Sequence, residues 1–254
     1  MIGCIIQARM GSSRLPGKVL KKIQNRPILD YVITQVEFSK KIEQVVIATT
    51  TNQEDDVIVN FCIENNISYF RGKEKDVLDR YYECAKKFDF QIIVRITSDN
   101  PLIDPKIIDE CMNEYGKSNC DYLSTEHPPT FPHGYAVEIF SFKALENAWK
   151  NAGKPSEREH VTPYFYNNPN IFSLKNFQNK KNLSNIRCTL DRANDLVFIE
   201  KIISSIQKQP ILLDDVLNVV SKNPKLLDIN KNNIYNEGYL KSLEEDKEFL
   251  NENN

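Results

Sequence analysis

Residues 1–120 alternate between short apolar runs and longer segments with helical periodicity. The apolar runs predict strands over 3–6, 44–50, 68–70 and 91–96, and the helical patterns predict helices over 27–36, 55–65, 76–88 and 105–115. Continuous apolar strands are typical of a parallel sheet that helices cover on both faces. The pattern therefore predicts an α/β fold with a mostly parallel central sheet.

The pattern changes after residue 120. The segment 121–140 contains three prolines and ends in a strand pattern. Further strands are predicted over 136–140, 172–177 and 186–190, and helices over 142–151, 195–207 and 213–223. We predict one domain over 1–230 that includes a small β-rich subdomain at about 121–190. The Lys-, Asn- and Glu-rich segment 231–254 is predicted to be a peripheral helical tail with a frayed end.

Composition narrows the class of protein. The net charge of −2 carries no basic excess of the kind that nucleic-acid-binding proteins use. No run approaches the roughly 20 apolar residues of a membrane helix, and no secretory signal is visible. The six cysteines are scattered without a CxxC pair, which favours reduced core thiols over a zinc site. We expect a cytoplasmic protein that binds neither nucleic acid nor membrane.

The loop 7–18, QARMGSSRLPGK, follows the first predicted strand and carries two glycines, two serines and three cations. Glycines allow backbone N–H groups to approach phosphate oxygens, and fixed cations offset phosphate charge. The loop differs from a Walker A motif because five residues separate Gly11 from Gly17, and Val19 stands in place of the hydroxyl that binds magnesium. The alternative interpretation is a solvated basic turn. The loop 97–105 follows another strand, and ligands bind at the carboxyl ends of such strands, so we expect the two loops to share one site.

The stretch IIQARMGSSRLPGKVL resembles the N-terminal signature of the cytidylyltransferase family, which includes CMP-Kdo and CMP-acylneuraminate synthetases. It is most similar to the SpsF-type spore-coat polysaccharide branch. The resemblance continues through FRGKEKDVLDRYY, RITSDNPLID, FPHGYAVEIFS, PSEREHVTPY, TLDRANDL and NEGYL, and so covers nearly the whole chain. It implies a Rossmann-like, GT-A-like nucleotidyltransferase sandwich, CTP as a substrate, and a homodimer.

The resemblance also implies roles for individual residues. Nucleotide contacts are expected from Gln7, Ala8, Arg9, Gly11, Ser12, Ser13, Arg14, Lys18, Arg71, Thr97 and Ser98. The catalytic residues are expected to be Arg14, Lys18, Asp99 and Asp191, with the two aspartates binding Mg²⁺. Acceptor contacts are expected from His133, Tyr135, Glu138, Arg158 and His160. Because magnesium prefers hard oxygen ligands and keeps several waters, two carboxylates and substrate phosphates suffice.

Each acidic residue has a second interpretation. Asp99 could form a turn before Pro101, and Asp191 could cap the following helix. Asp104 and Asp195 are interpreted first as helix N-caps.

The remaining polar residues also have alternatives. Both histidines could be structural. The i, i+4 spacing of Asp76 and Arg80 suits a surface ion pair, and Arg95 could face the site or pair with a buried carboxylate.

The sequence leaves alternatives open for the acceptor and for the reaction. Asn100 follows Asp99 where the CMP-Kdo branch carries a further acid, so Kdo is disfavoured as the acceptor. We expect a small anionic acceptor, either an acid sugar or a phosphorylated or phosphonylated compound. A related glycosyltransferase would show an Asp-x-Asp pair after a strand, and none is found. A non-catalytic nucleotide-binding protein would be expected to lack the metal carboxylates or Lys18, and all are present.

Overall fold

The computed structural model of the chain describes residues 1–252. The strands are β1 (Ile2–Gln7), β2 (Lys22–Ile23), β3 (Arg26–Pro27), β4 (Gln44–Thr50), β5 (Ser68–Gly72), β6 (Ile92–Thr97), β7 (Tyr122–Ser124), β8 (Glu138–Ser141) and β9 (Leu174–Asn176). The helices are α1 (Ile28–Glu37), α2 (Asp56–Glu64), α3 (Val77–Lys87), α4 (Pro105–Ser118), α5 (Phe142–Asn151), α6 (Pro155–His160), α7 (Pro163–Asn167), α8 (Ala193–Ser204), α9 (Leu213–Lys222) and α10 (Glu237–Glu252).

The main sheet, within residues 1–252, has seven strands in the order β5-β4-β1-β6-β8-β7-β9. The four strands β5, β4, β1 and β6 are parallel, whereas β8 runs antiparallel to both β6 and β7. The predicted α/β fold with a mostly parallel sheet is confirmed. Strands β7 to β9 continue this sheet, and β2 and β3 form a separate two-stranded sheet.

Apolar side chains fill both faces of the main sheet. One cluster packs α1, α4, α8 and α9 against β1, β4 and β6, and the other packs α3 and α5 against the opposite face. All six cysteines are free thiols and five of them are buried, as predicted. Burial raises the pKa of Cys62, Cys84 and Cys188 to about 12, so these thiols stay protonated and inert.

The predicted strand over 186–190 is wrong. This segment makes an isolated bridge between Arg187 and His133 and otherwise lies outside the named strands. Its backbone instead forms hydrogen bonds with two loops. Cys188 N–H donates to His133 O at 2.7 Å, and Leu190 N–H donates to Asp99 O at 2.8 Å. Its apolar side chains face the core, which explains the strand-like pattern. The segment crosses the ends of the sheet and brings Asp191 to the loop after β6.

The C-terminal segment forms α10 and packs against α6. Both the backbone N–H and the hydroxyl of Ser156 donate to the carboxylate of Asp246, at 2.8 and 2.6 Å. Both residues are buried, so this contact fixes the helix to the domain. Positions 253 and 254 of the predicted tail lie outside the described residues. Within residues 1–252, no helix is both long and apolar enough to cross a membrane.

Candidate active site

The loops after β1 and β6 meet because their strands are neighbours in register. Gln7 pairs with Thr97 at the carboxyl ends of the two strands, and Ser98 N–H donates to Gln7 O at 3.3 Å. The loop 7–18 therefore lies beside the loop 97–105, as expected for the ligand-binding edge of a parallel sheet. The segment 187–191 lies beside these two loops and forms the third wall of the site.

Lys18 lies at the centre of these three segments. Its Nζ donates to Asp99 Oδ2 at 2.7 Å, to Asp191 Oδ1 at 2.9 Å and to Leu190 O at 2.9 Å. Burial alone would lower the pKa of Lys18, but the two carboxylates outweigh it and raise the pKa. The two aspartates predicted to bind the metal, far apart in sequence, therefore face one another across one ammonium group.

Further cations and hydroxyls orient these carboxylates. Arg14 Nη2 donates to Asp191 Oδ1 at 2.6 Å, and Arg187 Nη2 donates to Asp191 Oδ2 at 2.9 Å. Thr97 Oγ1 donates to Asp99 Oδ1 at 2.6 Å. Burial would raise the pKa of Asp191, but Lys18 and Arg14 hold it far below its usual range. Asp191 is therefore ionised at any physiological pH, and it binds side chains rather than capping a helix.

Arg187 was not among the predicted site residues. Besides Asp191, its guanidinium contacts the completely buried Asp195, with Nε donating at 2.9 Å. Asp195 Oδ2 also accepts the backbone N–H groups of Asp191 and Arg192, at 3.0 and 2.9 Å. Asp195 is therefore not the N-cap, which is Arg192, but the third residue of α8, and it fixes the backbone beside Asp191. No local pattern in the sequence signals these contacts, because Arg187 and Asp191 lie outside any helix.

The tautomer of His133 follows from its contact with Arg187. Arg187 Nη1 lies 2.9 Å from His133 Nδ1, and a guanidinium has no acceptor, so Nδ1 must accept and Nε2 must carry the proton. Burial and the charge of Arg187 lower the pKa of His133 to about 4. His133 is therefore a neutral hydrogen-bond donor at neutral pH, next to the ring of Tyr235 at 4.5 Å between centroids.

The loop 7–18 folds tightly around Met10. The N–H groups of Ser12 and Gly17 both donate to Met10 O, and the N–H of Met10 donates to Asp55 Oδ1 at 2.6 Å. Gly17 has φ 66°, which favours glycine. Arg9 pairs with Glu74 at 3.1 Å. Of the other predicted nucleotide contacts, Ala8 and Ser98 are buried, Gln7, Ser12 and Thr97 are half-buried, and Gly11 and Ser13 are exposed.

Arg71 and Arg158 are both engaged with the protein. Arg71 donates to the backbone oxygens of Thr50 and Asn52, at 2.8 and 3.0 Å, and its Nη1 lies 2.8 Å from Asp56. Arg158 binds Asp76 with two nitrogens, at 2.9 and 2.6 Å.

Asp76 and Arg80 do not form the surface ion pair that their spacing offered as an alternative interpretation. Arg80 turns inward and is 2% exposed, while Arg158 takes the carboxylate of Asp76.

Two predicted acceptor contacts are buried in the core. Tyr135 is completely buried among apolar residues, and Glu138 forms a buried ion pair with Arg95. Neither side chain presents a surface to a ligand, because Glu138 points from β8 towards Arg95 on the neighbouring strand β6, and Tyr135, which precedes β8, lies within the apolar core. The interpretation of Arg95 as the partner of a buried carboxylate is confirmed. His160 lies nearer the surface, with Nε2 2.9 Å from Ser242 Oγ, and its pKa is lowered to about 4, chiefly by burial.

The fold and the site define a nucleotidyltransferase: a parallel sheet carries a glycine-containing cationic loop and two converging carboxylates at its ligand-binding edge. The family model for cytidylyltransferases matches residues 3–238, and this chain belongs to that family. It is accordingly a CTP-dependent nucleotidyltransferase.

Three comparisons extend this assignment. A solved cytidylyltransferase from Leptospira borgpetersenii is 34% identical, covers 92% of this chain and 98% of its own, and superposes with a TM-score of 0.86. An uncharacterised protein of Methanocaldococcus jannaschii is 41% identical over 90% of this chain and 93% of its own. The Bacillus subtilis spore coat polysaccharide biosynthesis protein SpsF is 29% identical over 87% of this chain and 94% of its own.

Proposed function

We propose that the protein transfers CMP from CTP to a small anionic, sugar-like acceptor with release of pyrophosphate, for surface polysaccharide or glycoconjugate biosynthesis. The observation that carries this proposal is the contact of Lys18 with both Asp99 and Asp191. The likeness to SpsF supports the polysaccharide role. Because CTP is a cytoplasmic metabolite, we expect a cytoplasmic enzyme, and the family resemblance leads us to expect a homodimer.

Unpartnered polar atoms support binding of a nucleotide at this edge. Seven side-chain atoms within residues 1–252 are buried without a hydrogen-bond partner, and four of them belong to or lie near the loop 7–18: Gln7 Oε1, Arg14 Nε, and Nε and Nη1 of Arg80. The other three are Thr49 Oγ1, Arg95 Nε and Tyr135 Oη. Buried polar atoms normally have partners, and each exception needs an explanation. A nucleotide held against the loop 7–18 is a source of partners for the four atoms in or near it.

The two carboxylates suit Mg²⁺ in donor chemistry. Both Asp99 and Asp191 direct an oxygen at one point that a cation, the ammonium group of Lys18, occupies in this structure. Within residues 1–252 no group of three or more acidic, histidine or cysteine side chains is arranged for a metal. Substrate phosphates and water would therefore complete the coordination of Mg²⁺ held by these two residues. The bound ion would supply charge neutralisation on the phosphates.

The chain's own residues supply positioning and charge. An oxygen of the acceptor attacks the α-phosphorus of CTP and forms the new P–O bond, and the bond to the oxygen that bridges to the β-phosphate breaks as pyrophosphate leaves. The proton of a hydroxyl acceptor passes to solvent water. Lys18 and Arg14 stabilise the charge on the transferring and leaving phosphates, and the loop 7–18 offers backbone N–H groups to them. A hydroxyl acceptor gives a CMP ester, a phosphate acceptor gives a CDP-linked product, and a phosphonate acceptor gives a mixed anhydride of CMP and the phosphonate. The neutral His133, with its proton on Nε2, is the residue that we expect to donate a hydrogen bond to the acceptor. In this structure Nε2 of His160 is in contact with Ser242 Oγ instead.

Pyrophosphate release tests the proposal. The protein is incubated with Mg²⁺, each of CTP, UTP, ATP and GTP, and a panel of acid sugars, sugar phosphates, polyol phosphates and phosphonates. We expect release that requires CTP and one class of acceptor, that is abolished by EDTA, and that is lost in Asp99→Ala. Asp228→Ala is the matched control, because Asp228 is exposed and pairs only with Lys231 in the hydrogen bonds of residues 1–252. Release with UTP or GTP in place of CTP would contradict the nucleotide assignment.

A further inference from the structure

The C-terminal segment crosses the mouth of the active site before it reaches α6. Tyr235 packs on the ring of His133, and its hydroxyl donates to Glu126 Oε2 at 2.7 Å. Further along, Ser242 contacts both His160 and Glu159 of α6. Residues 235–242 therefore span the opening between the loop at Glu126 and α6. The motif NEGYL, singled out in the sequence, lies in this stretch.

Glu237 brings a carboxylate against two cations of the site. Both of its oxygens lie 2.8 Å from Arg192 Nη2, and Oε2 lies 3.7 Å from Arg14 Nη1. Another nitrogen of Arg14 binds Asp191, one of the two proposed metal ligands. The carboxylate of Glu237 therefore occupies the position between Arg14 and Arg192 at the edge of the transfer site.

We propose that Arg14 and Arg192 form a two-arginine anion site for a phosphate or carboxylate group of a substrate, and that Glu237 occupies it until the substrate arrives. This inference rests on the proposed function for the identity of that substrate. Arginine pairs suit such groups because the guanidinium presents several donors in one plane. The sequence analysis gives no role to Arg192. In this proposal it binds substrate.

Glu237 is placed so that it can be displaced. The side chains of Arg192 and Glu237 are 43% and 34% exposed, and ion pairs at such exposure contribute little to stability. The helix is held independently by the buried contact of Ser156 with Asp246. A more highly charged phosphate can therefore replace the Glu237 carboxylate while α10 stays in place.

Replacing Glu237 and replacing Arg192 should change anion affinity in opposite directions. A purely structural ion pair would not show this difference. Calorimetric titration measures binding of pyrophosphate, and separately of N-acetylneuraminate as a carboxylate sugar, to the full chain. We expect Glu237→Gln to bind one of the probes about three- to tenfold more tightly and Arg192→Gln to bind it more weakly by a similar factor. Glu244→Gln is the matched control, since Glu244 lies on the same helix and pairs with Lys247. It should bind as the wild type does.

The two probes identify the source of the anion. Tighter binding of pyrophosphate by Glu237→Gln assigns the site to the nucleotide phosphates, and tighter binding of N-acetylneuraminate alone assigns it to the acceptor. Unchanged affinity of Glu237→Gln for both probes, or binding of neither, with an unchanged melting temperature, would overturn the proposal. Absence of turnover with CTP and every acceptor would instead refute the proposed function, and a tighter pyrophosphate complex of Glu237→Gln would still stand.

Discussion

Arg95 and Glu138 face each other on neighbouring antiparallel strands and form a buried ion pair beneath the active site. Tyr122 completes the pair by donating its hydroxyl to Glu138 Oε1 at 2.5 Å. Burial would raise the pKa of Glu138, but Arg95 outweighs it and lowers the pKa. The carboxylate is therefore charged, fully partnered and internal, which makes it a structural group.

Removing Glu138 should destabilise the fold and leave substrate binding intact. We expect Glu138→Ala to lower the free energy of unfolding by about 3–5 kcal/mol, because the guanidinium of Arg95 is left buried without its partner. The double variant Arg95→Met with Glu138→Leu should recover much of this loss. Urea unfolding measures both effects. A stable Glu138→Ala enzyme with a raised KM for the acceptor would restore the acceptor-binding role predicted from sequence.

Replacing Lys18 should affect both the rate and the response to Mg²⁺. We expect Lys18→Met to lower kcat at least about 100-fold, because a cation that stabilises the transferring phosphate is lost. Mg²⁺ alone should raise the melting temperature of this variant more than that of the wild type, because two carboxylates then face each other without the ammonium group. Lys22→Met, at an exposed position of β2, is the control. A near-normal rate in Lys18→Met would contradict the assigned role.

His133 should act through hydrogen-bond donation rather than proton abstraction. We expect His133→Gln, which keeps a donor, to retain most of the activity, and His133→Ala to raise the acceptor KM about tenfold through loss of one hydrogen bond. The pH profile of kcat should show no ionisation near 6.5 that belongs to this residue, because its pKa is about 4. An acidic limb between pH 6 and 7 that disappears in His133→Gln would show that the imidazole works as a base.

The stability of the protein should fall as the pH drops from 6.5 to 4. In this window His133 and His160 stay neutral when folded, with pKa values of about 4, but gain protons when unfolded. The unfolded chain therefore binds more protons, and each histidine contributes a slope of at most about 1.4 kcal/mol per pH unit. Chemical denaturation at several pH values measures the slope, which should be shallower in the double variant His133→Gln with His160→Gln. An equal slope in the two proteins would contradict these assignments.

The parallel core was predictable because its apolar runs are long and continuous. The helix predicted over 142–151 matches α5, and Asp104 is the N-cap of α4, accepting the N–H of Lys106 at 2.7 Å. Pro105 directly after an aspartate is a strong local signal for a helix start. Local signals of this kind need no knowledge of the tertiary structure.

Contacts between residues that are far apart in sequence explain the features that could not be predicted from the sequence. Arg80 and Asp76 have the right spacing for an ion pair, but Arg158, from a distant helix, takes the aspartate. Tyr135 and Glu138 lie in the segment FPHGYAVEIFS, yet their burial depends on distant partners: Glu138 pairs with Arg95 on β6, and Tyr135 lies in the core cluster. The segment 186–190 has the apolar pattern of a strand although its backbone bonds loops. In each case a partner far away in sequence decides the outcome.

The bond from Leu190 N–H to Asp99 O ties the two proposed metal-binding segments together through the backbone. The residues at the mouth, Tyr235 and Glu237 among them, contact the site through side chains borne on a separate segment. Mutations at the mouth can therefore alter which molecule is accepted without displacing the carboxylates. We therefore expect acceptor preference to diverge more readily during evolution than the transfer chemistry.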